Sequence, residues 1–160
     1  MNLYFLRHAV AVERGAPGYS DDSQRPLTAE GRKKMRRIAK GIKALKLSFD
    51  LVLSSPYVRA RETAEMVSSK ISLTENLAPG APFEKLIREI NARSPKPRNV
   101  LLVGHEPDLS RMVSFLLAGR RDVPMDFKKG GLCCISAGKL PAAGCATLQW
   151  FLAPSQLRML

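Results

Sequence analysis

Two short apolar runs, each leading into a histidine, constrain the fold of this chain more than any other feature. Residues 2–6 lead directly into Arg7 and His8, and residues 99–103 lead through Gly104 into His105. Uninterrupted apolar runs of this length are typical of strands buried on both faces of a parallel sheet. Each histidine alone is better explained as an ordinary core or surface residue than as a functional one. Because the carboxyl ends of parallel strands share one ligand-binding edge, we expect this matched pair to meet there.

The remaining pattern predicts one α/β domain spanning residues 1–160. A chain of 160 residues, 45% hydrophobic and 25% charged, has the size and composition of one globular domain. Helix and strand patterns alternate along it, which favours a mostly parallel sheet. Besides the two opening runs, strands are predicted at 50–54, 71–77, 131–136 and 146–152, helices at 28–46, 57–69, 83–92 and 109–117, and connections at 94–98 and 138–144.

The sequence predicts a cytoplasmic monomer with no membrane partner. The first apolar run has no basic region before it, is short and ends at Arg7 and His8, unlike a signal peptide or a transmembrane helix. Cys133, Cys134 and Cys145 lie in apolar sequence outside any Cys-x-x-Cys spacing. Buried thiols are therefore favoured over disulfides or metal ligands, in agreement with a reducing compartment.

The formal net charge of +12 raises the question of a nucleic-acid partner. Residues 28–46 contain eight basic residues and one acid, Glu30, while Met35, Ile38 and Ile42 recur at helical spacing. The cations then form the solvent face of an amphipathic helix, and no aromatic residues interleave them as stacking on single strands requires. No nucleic-acid partner is expected, although such a surface can steer an acidic or phosphorylated protein.

Five side chains are predicted to meet at the edge of the sheet where the histidines lie. Arg7 and His8 follow the first strand, Arg25 precedes the basic helix, Arg59 lies early in the next helix, and His105 follows the fourth strand. Guanidinium groups gathered at one point repel one another unless an anion lies among them, so the expected ligand is a tetrahedral oxyanion such as phosphate. The cations also lower the pKa of a nearby histidine, which keeps an imidazole neutral and nucleophilic.

This chemistry predicts phosphoryl transfer to one imidazole. In-line attack by a ring nitrogen would give a phosphohistidine intermediate, while the arginines and the second histidine stabilise the transferring oxygens. Two histidines and scattered acids do not supply the usual three ligands of a catalytic metal, so we expect no metal and no other cofactor. At Arg59, structural pairing with Glu62 or Glu65 is an equal alternative to phosphate binding.

Three ordered blocks of the sequence resemble a known family. Leu-Arg-His-Ala at 6–9 resembles the Arg-His-Gly signature of the histidine phosphatase (phosphoglycerate mutase-like) superfamily. Residues 54–64 resemble its Ser-x-x-x-Arg-Ala-x-x-Thr-Ala block, and Val-Gly-His at 103–105 resembles the third. Arg-Pro-Leu-Thr at 25–28 and Gly-His-Glu-Pro at 104–107 are similar to the SixA-type phosphohistidine phosphatases.

The resemblance implies a three-layer α/β/α sandwich without a metal cofactor and a role for each matched residue. It implies His8 as nucleophile, Arg7 and Arg59 as phosphate ligands, His105 as the second phosphate-facing histidine, and Arg25 as a further ligand. The implied substrate is a phosphorylated protein, foremost a histidine-phosphorylated signalling domain. The alternatives are a small-molecule phosphomonoesterase of the same superfamily and a non-catalytic phosphoprotein-binding module.

Two features depart from the family pattern. Ala9 replaces the usual glycine. The usual general acid, a glutamate, has no counterpart in its motif context: Glu84 falls in the right region but also suits an exposed helix position, and Asp21, Asp22 and Asp108 are equally explained as loop or capping residues. Since a phosphohistidine leaves as neutral imidazole once its distal nitrogen is protonated, a missing acid favours that substrate over sugar or serine phosphates.

Overall fold

A computed structural model describes residues 1–93, 95–138 and 143–160. Those residues form one mixed sheet in which β1 to β4 pair in parallel, and β5 pairs antiparallel with both β1 and β6. The strand order is β3-β2-β4-β1-β5-β6. The strands are β1 (Asn2–Arg7), β2 (Leu51–Ser54), β3 (Ser72–Leu73), β4 (Asn99–Gly104), β5 (Leu132–Ala137) and β6 (Ala146–Leu152).

Helices cover both faces of this sheet. They are α1 (Ala29–Ala44), α2 (Val58–Glu65), α3 (Phe83–Asn91), α4 (Asp108–Ala118) and α5 (Pro154–Leu157). Side chains alternate across a strand, so Leu3 and Phe5 of β1 join the apolar core that contains residues of α3 and α4. Tyr4 and Leu6 join the core on the other face, with residues of α1, α2 and α5. The predicted α/β/α sandwich is confirmed.

Helix α1 is attached at its first turn to the loop that follows β1. Thr28 caps the helix, since its Oγ1 accepts the N–H of Gly31 at 2.9 Å, and the Thr28 N–H bonds to Val10 O at 3.1 Å. A Cβ on Gly31 would lie 2.0 Å from the Val10 oxygen, so no larger residue fits there without displacing the backbone. The start of α1 is therefore anchored to Val10, which lies two residues beyond His8.

Two elements differ from the sequence prediction. Instead of a strand over 71–77, only Ser72–Leu73 pairs with β2, and a 3₁₀ turn follows at Glu75–Leu77. Thr74 starts that turn because its Oγ1 accepts the N–H of Asn76 at 3.2 Å. The helix predicted at 57–69 ends at Glu65.

The predicted connections fall partly outside the described residues, which omit Ser94 in the first and residues 139–142 in the second. The three cysteines are free thiols; Cys133 and Cys134 are buried, as predicted, whereas Cys145 is only partly buried. No helix in the described part of the chain combines the length and apolar character needed to cross a membrane.

Candidate active site

The two histidines lie side by side at the carboxyl edge of the sheet. Strands β1 and β4 are neighbours with Arg7 opposite Gly104, so the next residue of each strand is a histidine. The ring centroids of His8 and His105 are 5.1 Å apart, and the two residues are only 7% and 3% exposed. The parallel pairing thus brings together two imidazoles that are 97 residues apart in the chain.

The surroundings of His8 fix which ring nitrogen carries its proton. Its Nδ1 lies 2.7 Å from the carbonyl oxygen of Ala9, and a carbonyl can only accept, so Nδ1–H donates and Nε2 keeps its lone pair. Burial lowers the pKa of His8 well below the usual value, and the nearby His105, Arg59 and Arg7 lower it further. The imidazole is therefore neutral at pH 7. Ala9 itself lies in the apolar core on the α1 side of the sheet.

His105 is held by a serine that sequence reasoning missed. Its Nε2 lies 2.8 Å from the Oγ of Ser55, which also accepts the N–H of Tyr57 at 3.3 Å. The Tyr57 ring meets the imidazole edge-on at a centroid distance of 5.2 Å. Burial, followed by the charge of Arg59, lowers the pKa of His105 to about 3. The second imidazole is also neutral.

Asp22 occupies the centre of the arginine cluster. Its Oδ1 accepts from Arg25 Nε at 2.9 Å and from Arg14 Nε at 3.1 Å, and its Oδ2 accepts from Arg59 Nη2 at 3.0 Å. Arg59 Nη1 donates to the Asp22 backbone oxygen at 2.7 Å. Partial burial alone would raise the pKa of Asp22, but the bonds from Arg25, Arg59 and Arg14 outweigh it and lower the pKa to about 2.

These contacts describe the setting of two arginines that were predicted as phosphate ligands. Arg59, which is 3% exposed, pairs with Asp22 rather than with either of the glutamates considered for it. Glu62 instead accepts from Arg32, and Glu65 pairs with Arg61. The guanidinium of Arg25 is engaged by Asp22 and by the backbone oxygen of Val12, so it reaches the cluster through the aspartate.

Three buried side-chain nitrogens of the described residues have no hydrogen-bond partner: Arg7 Nε, Arg59 Nε and His105 Nδ1. The rest of each side chain is anchored. Arg7 Nη1 donates to Phe127 O at 2.6 Å, and the other nitrogens of Arg59 and His105 have the partners described above. Leaving a buried polar group unpaired is costly, so unpaired groups at one place call for an explanation. All three belong to residues that lower the pKa of His8 and therefore lie near its ring. A tetrahedral oxyanion in front of His8 would supply acceptors for them.

A cavity of about 320 Å³ adjoins His105, and Glu84 also contributes to its lining. Glu84 lies at the start of α3 and pairs with Arg121 at 2.7 Å. Its own backbone N–H and then Arg121 lower its pKa, so the carboxyl is ionised at neutral pH. The structure thus places Glu84 beside the site but not in a state suited to donating a proton. Across the described residues, no three His, Cys, Asp or Glu side chains are grouped as metal ligands.

Comparison with known proteins identifies the family. Residues 3–80 match the profile of the histidine phosphatase superfamily (branch 1). An uncharacterized protein of Picosynechococcus sp. is 31% identical over 86% of each chain, and the phosphohistidine phosphatase SixA of Escherichia coli is 27% identical over 99% of this chain and 98% of its own. The solved protein histidine phosphatase SixA with tungstate superposes with a TM-score of 0.82 at 26% identity, covering 98% of this chain and 99% of that one. The chain belongs to the histidine phosphatase superfamily and is a phosphatase.

Proposed function

We propose that this phosphatase removes the phosphoryl group from histidine residues of a protein through a covalent intermediate on His8. The observation that carries the proposal is the set of unpaired buried nitrogens on Arg7, Arg59 and His105, beside an imidazole whose Nε2 is unprotonated. The similar SixA structure was solved with tungstate, which is itself a tetrahedral oxyanion. The phosphohistidine phosphatase SixA of Escherichia coli is similar to this chain over nearly its whole length.

In the first step, His8 Nε2 attacks phosphorus in line with the bond to the substrate nitrogen. The new N–P bond forms as the old one breaks, and its electron pair returns to the leaving imidazole, whose other nitrogen carries a proton. Arg7, Arg59 and His105 donate to the phosphoryl oxygens as charge develops on them. In the second step, the oxygen of a water molecule attacks phosphorus, the N–P bond to His8 breaks, and its electron pair returns to Nε2. The protons of the water leave with the inorganic phosphate, and the neutral imidazole is restored.

Ser55 sets the tautomer of His105 in this proposal. Its Oγ accepts the N–H of Tyr57, and we assign its own hydrogen to His105 Nε2, which lies 2.8 Å away. The proton of that imidazole then lies on Nδ1, the nitrogen without a partner. A neutral His105 can therefore donate a hydrogen bond to the phosphoryl group while its pKa is near 3.

Asp22 orients Arg59. It holds both terminal nitrogens of that guanidinium, so the edge that contains Nε is left for the phosphoryl oxygens. Arg25 binds Asp22 in turn and supports the phosphate through it. Nη1 and Nη2 of Arg25 each have a second N–H, through which direct contact with phosphate would be made.

A small-molecule phosphomonoesterase is the second candidate, and the cavity shared by His105 and Glu84 favours it. Its volume of about 320 Å³ suits a small leaving group. Glu84 would serve as the general acid only after separating from Arg121, because that pairing helps to keep the carboxyl ionised. A phosphohistidine needs no such acid, which is why we place it first.

A comparison of substrates tests the proposal. The enzyme is assayed with a histidine-phosphorylated protein, a panel of sugar phosphates and p-nitrophenyl phosphate, with and without EDTA. We expect kcat/KM for the phosphohistidine protein to exceed that for every sugar phosphate by about tenfold or more, a difference of about 1.4 kcal/mol in transition-state binding, and EDTA to leave the rates unchanged. Faster sugar-phosphate turnover would support the second candidate. Phosphate binding without turnover of any substrate would indicate a binding module.

The proposed setting is a cytoplasmic signalling system in which the enzyme acts as a monomer. The free thiols of Cys133, Cys134 and Cys145 support a reducing compartment. Phosphohistidine is a transient modification of signalling proteins, so its removal would end a signal. Cell fractionation and light scattering of the purified protein test these two points.

A further inference from the structure

A stripe of cations runs along the exposed side of α1. Lys33, Arg36, Arg37, Lys40 and Lys43 are all exposed, and we call these five residues the basic stripe. Their spacing of three and four residues places them next to one another on one helix face. Among the described residues none of the five has an ion pair, whereas Lys34 pairs with Glu30 and Arg32 with Glu62.

The basic stripe weakens the helix on which it lies. Like charges three or four residues apart on a helix repel, and the stripe contains several such neighbouring pairs with no acid between them. The hydrophobic contacts of α1 do not require these charges, because its buried positions are Gly31, Met35, Ile38, Gly41 and Ile42. Repulsion of this kind is relieved when an anionic surface lies against the stripe.

A shallow groove accompanies the stripe and has an apolar floor. One depression of about 370 Å³ is lined by Arg36, Lys40 and Lys43 together with Ala39 and Met66. A second, of about 230 Å³, shares some of this lining and adds apolar side chains from α1, from the segment before β2 and from the residues that follow α2. The complementary surface therefore has acidic side chains around at least one apolar residue.

The stripe is continuous with the active site through the first turn of α1. Thr28 bonds to Val10, two residues beyond His8, and Arg32 in the next turn pairs with Glu62 of α2, the helix that carries Arg59. A helix rises about 1.5 Å per residue, so Arg36 lies about 10 Å and Lys43 about 21 Å along the axis from the start of α1. A free phosphorylated amino acid at His8 cannot reach these cations, but a folded protein can.

We propose that the basic stripe and its groove dock an acidic surface of the phosphoprotein substrate while its phosphohistidine lies at His8. This inference rests on the proposed function and names the chemistry of its partner: acidic side chains around an apolar residue. A nucleic acid fits less well, because contacts to its phosphodiester groups make no use of the apolar floor of this groove. A membrane fits less well, because α1 itself has no exposed large apolar side chain that could enter the lipid.

Two matched double variants test the docking surface. Arg36→Glu/Arg37→Glu reverses two charges of the stripe, and Lys85→Glu/Arg88→Glu reverses two exposed charges on α3, on the opposite face of the sheet. Both change the net charge equally. Each is assayed with free phosphohistidine and with an acidic protein carrying one histidine phosphorylated by phosphoramidate. We expect the α1 variant to lower kcat/KM for the phosphoprotein about tenfold and to leave free phosphohistidine unchanged. The α3 variant should match wild type on both.

Salt and a second variant complete the test. The deficit of the α1 variant should disappear at about 0.5 M salt, where charges are screened within a few ångströms. Lys40→Glu/Lys43→Glu should reproduce it. Equal effects of the α1 and α3 variants on the phosphoprotein would overturn the docking surface. So would binding of wild type to a DNA duplex or to phosphatidylserine vesicles that is stronger than its binding to the phosphoprotein. Failure of wild type to hydrolyse either phosphohistidine substrate would instead overturn the proposed function.

Discussion

Replacing Asp22 by asparagine should destabilise the free enzyme and strengthen its binding of phosphate. Arg59 is 3% exposed, so its charge cannot turn to water when the carboxylate is lost. Breaking one partner of a buried ion pair costs about 3–5 kcal/mol. The Asp22 side chain is 29% exposed and asparagine keeps an accepting oxygen, so we expect about 2 kcal/mol, or a melting temperature lower by roughly 4–8 °C.

Phosphate binding should change in the opposite direction. Asp22 and a bound phosphate are both anions and share the attraction of Arg25 and Arg59. Removing one negative charge several ångströms from the ligand is worth on the order of 2 kcal/mol at an effective dielectric constant near 20, so Kd should fall by roughly tenfold or more. A variant that merely disturbed the site would bind phosphate more weakly.

Calorimetric titration with inorganic phosphate and thermal melting over a series of phosphate concentrations measure both effects. The matched control is Asp21→Asn, which changes an adjacent exposed carboxylate whose bond is to the N–H of Ser23. The control should bind phosphate with the wild-type Kd. If Asp22→Asn bound phosphate no more tightly than wild type, or melted at the wild-type temperature, the assigned role of Asp22 would be wrong.

Three further predictions concern His105 and Glu84. Ser55→Ala should lower kcat about tenfold with little change in KM and shift the ¹⁵N signals of His105 toward a mixture of tautomers, while Ser55→Thr restores both; an unchanged spectrum would refute the tautomer assignment. Because His105 has a pKa of about 3 folded and about 6.5 unfolded, the unfolded chain binds more protons below pH 6.5; urea unfolding should show this residue costing about 3 kcal/mol at pH 4.5, a cost absent from His105→Gln. Equal pH slopes for the two proteins would contradict that shift. Glu84→Gln should leave kcat for phosphohistidine within about twofold, and a loss of about 100-fold would assign it as the general acid.

The meeting of His8 and His105 could be predicted because it follows from local sequence. Each apolar run specifies a buried strand, and parallel pairing of two such strands leaves the next residue of each at one edge. The cap at Thr28 and the buried face of α1 could be predicted for the same reason, since capping and helical periodicity are local.

The central position of Asp22 could not be predicted in this way. It lies in the polar segment after β1, which has no periodicity to set its path, and its three arginine partners lie 8, 3 and 37 residues away. The alternative in which Arg59 pairs with a glutamate on its own helix was wrong, because a carboxylate more distant in sequence binds it. Ser55 did leave a signal, since it follows β2 directly at the same edge as the histidines.

Trapping the covalent intermediate tests the central claim most directly. The enzyme is mixed with a ³²P-labelled histidine-phosphorylated protein, quenched within milliseconds and examined for label on its own chain. We predict an acid-labile, alkali-stable adduct on wild type that maps to His8 and is absent from His8→Ala, while His105→Ala still forms it slowly. Equal labelling of wild type and His8→Ala would show that another group attacks phosphorus.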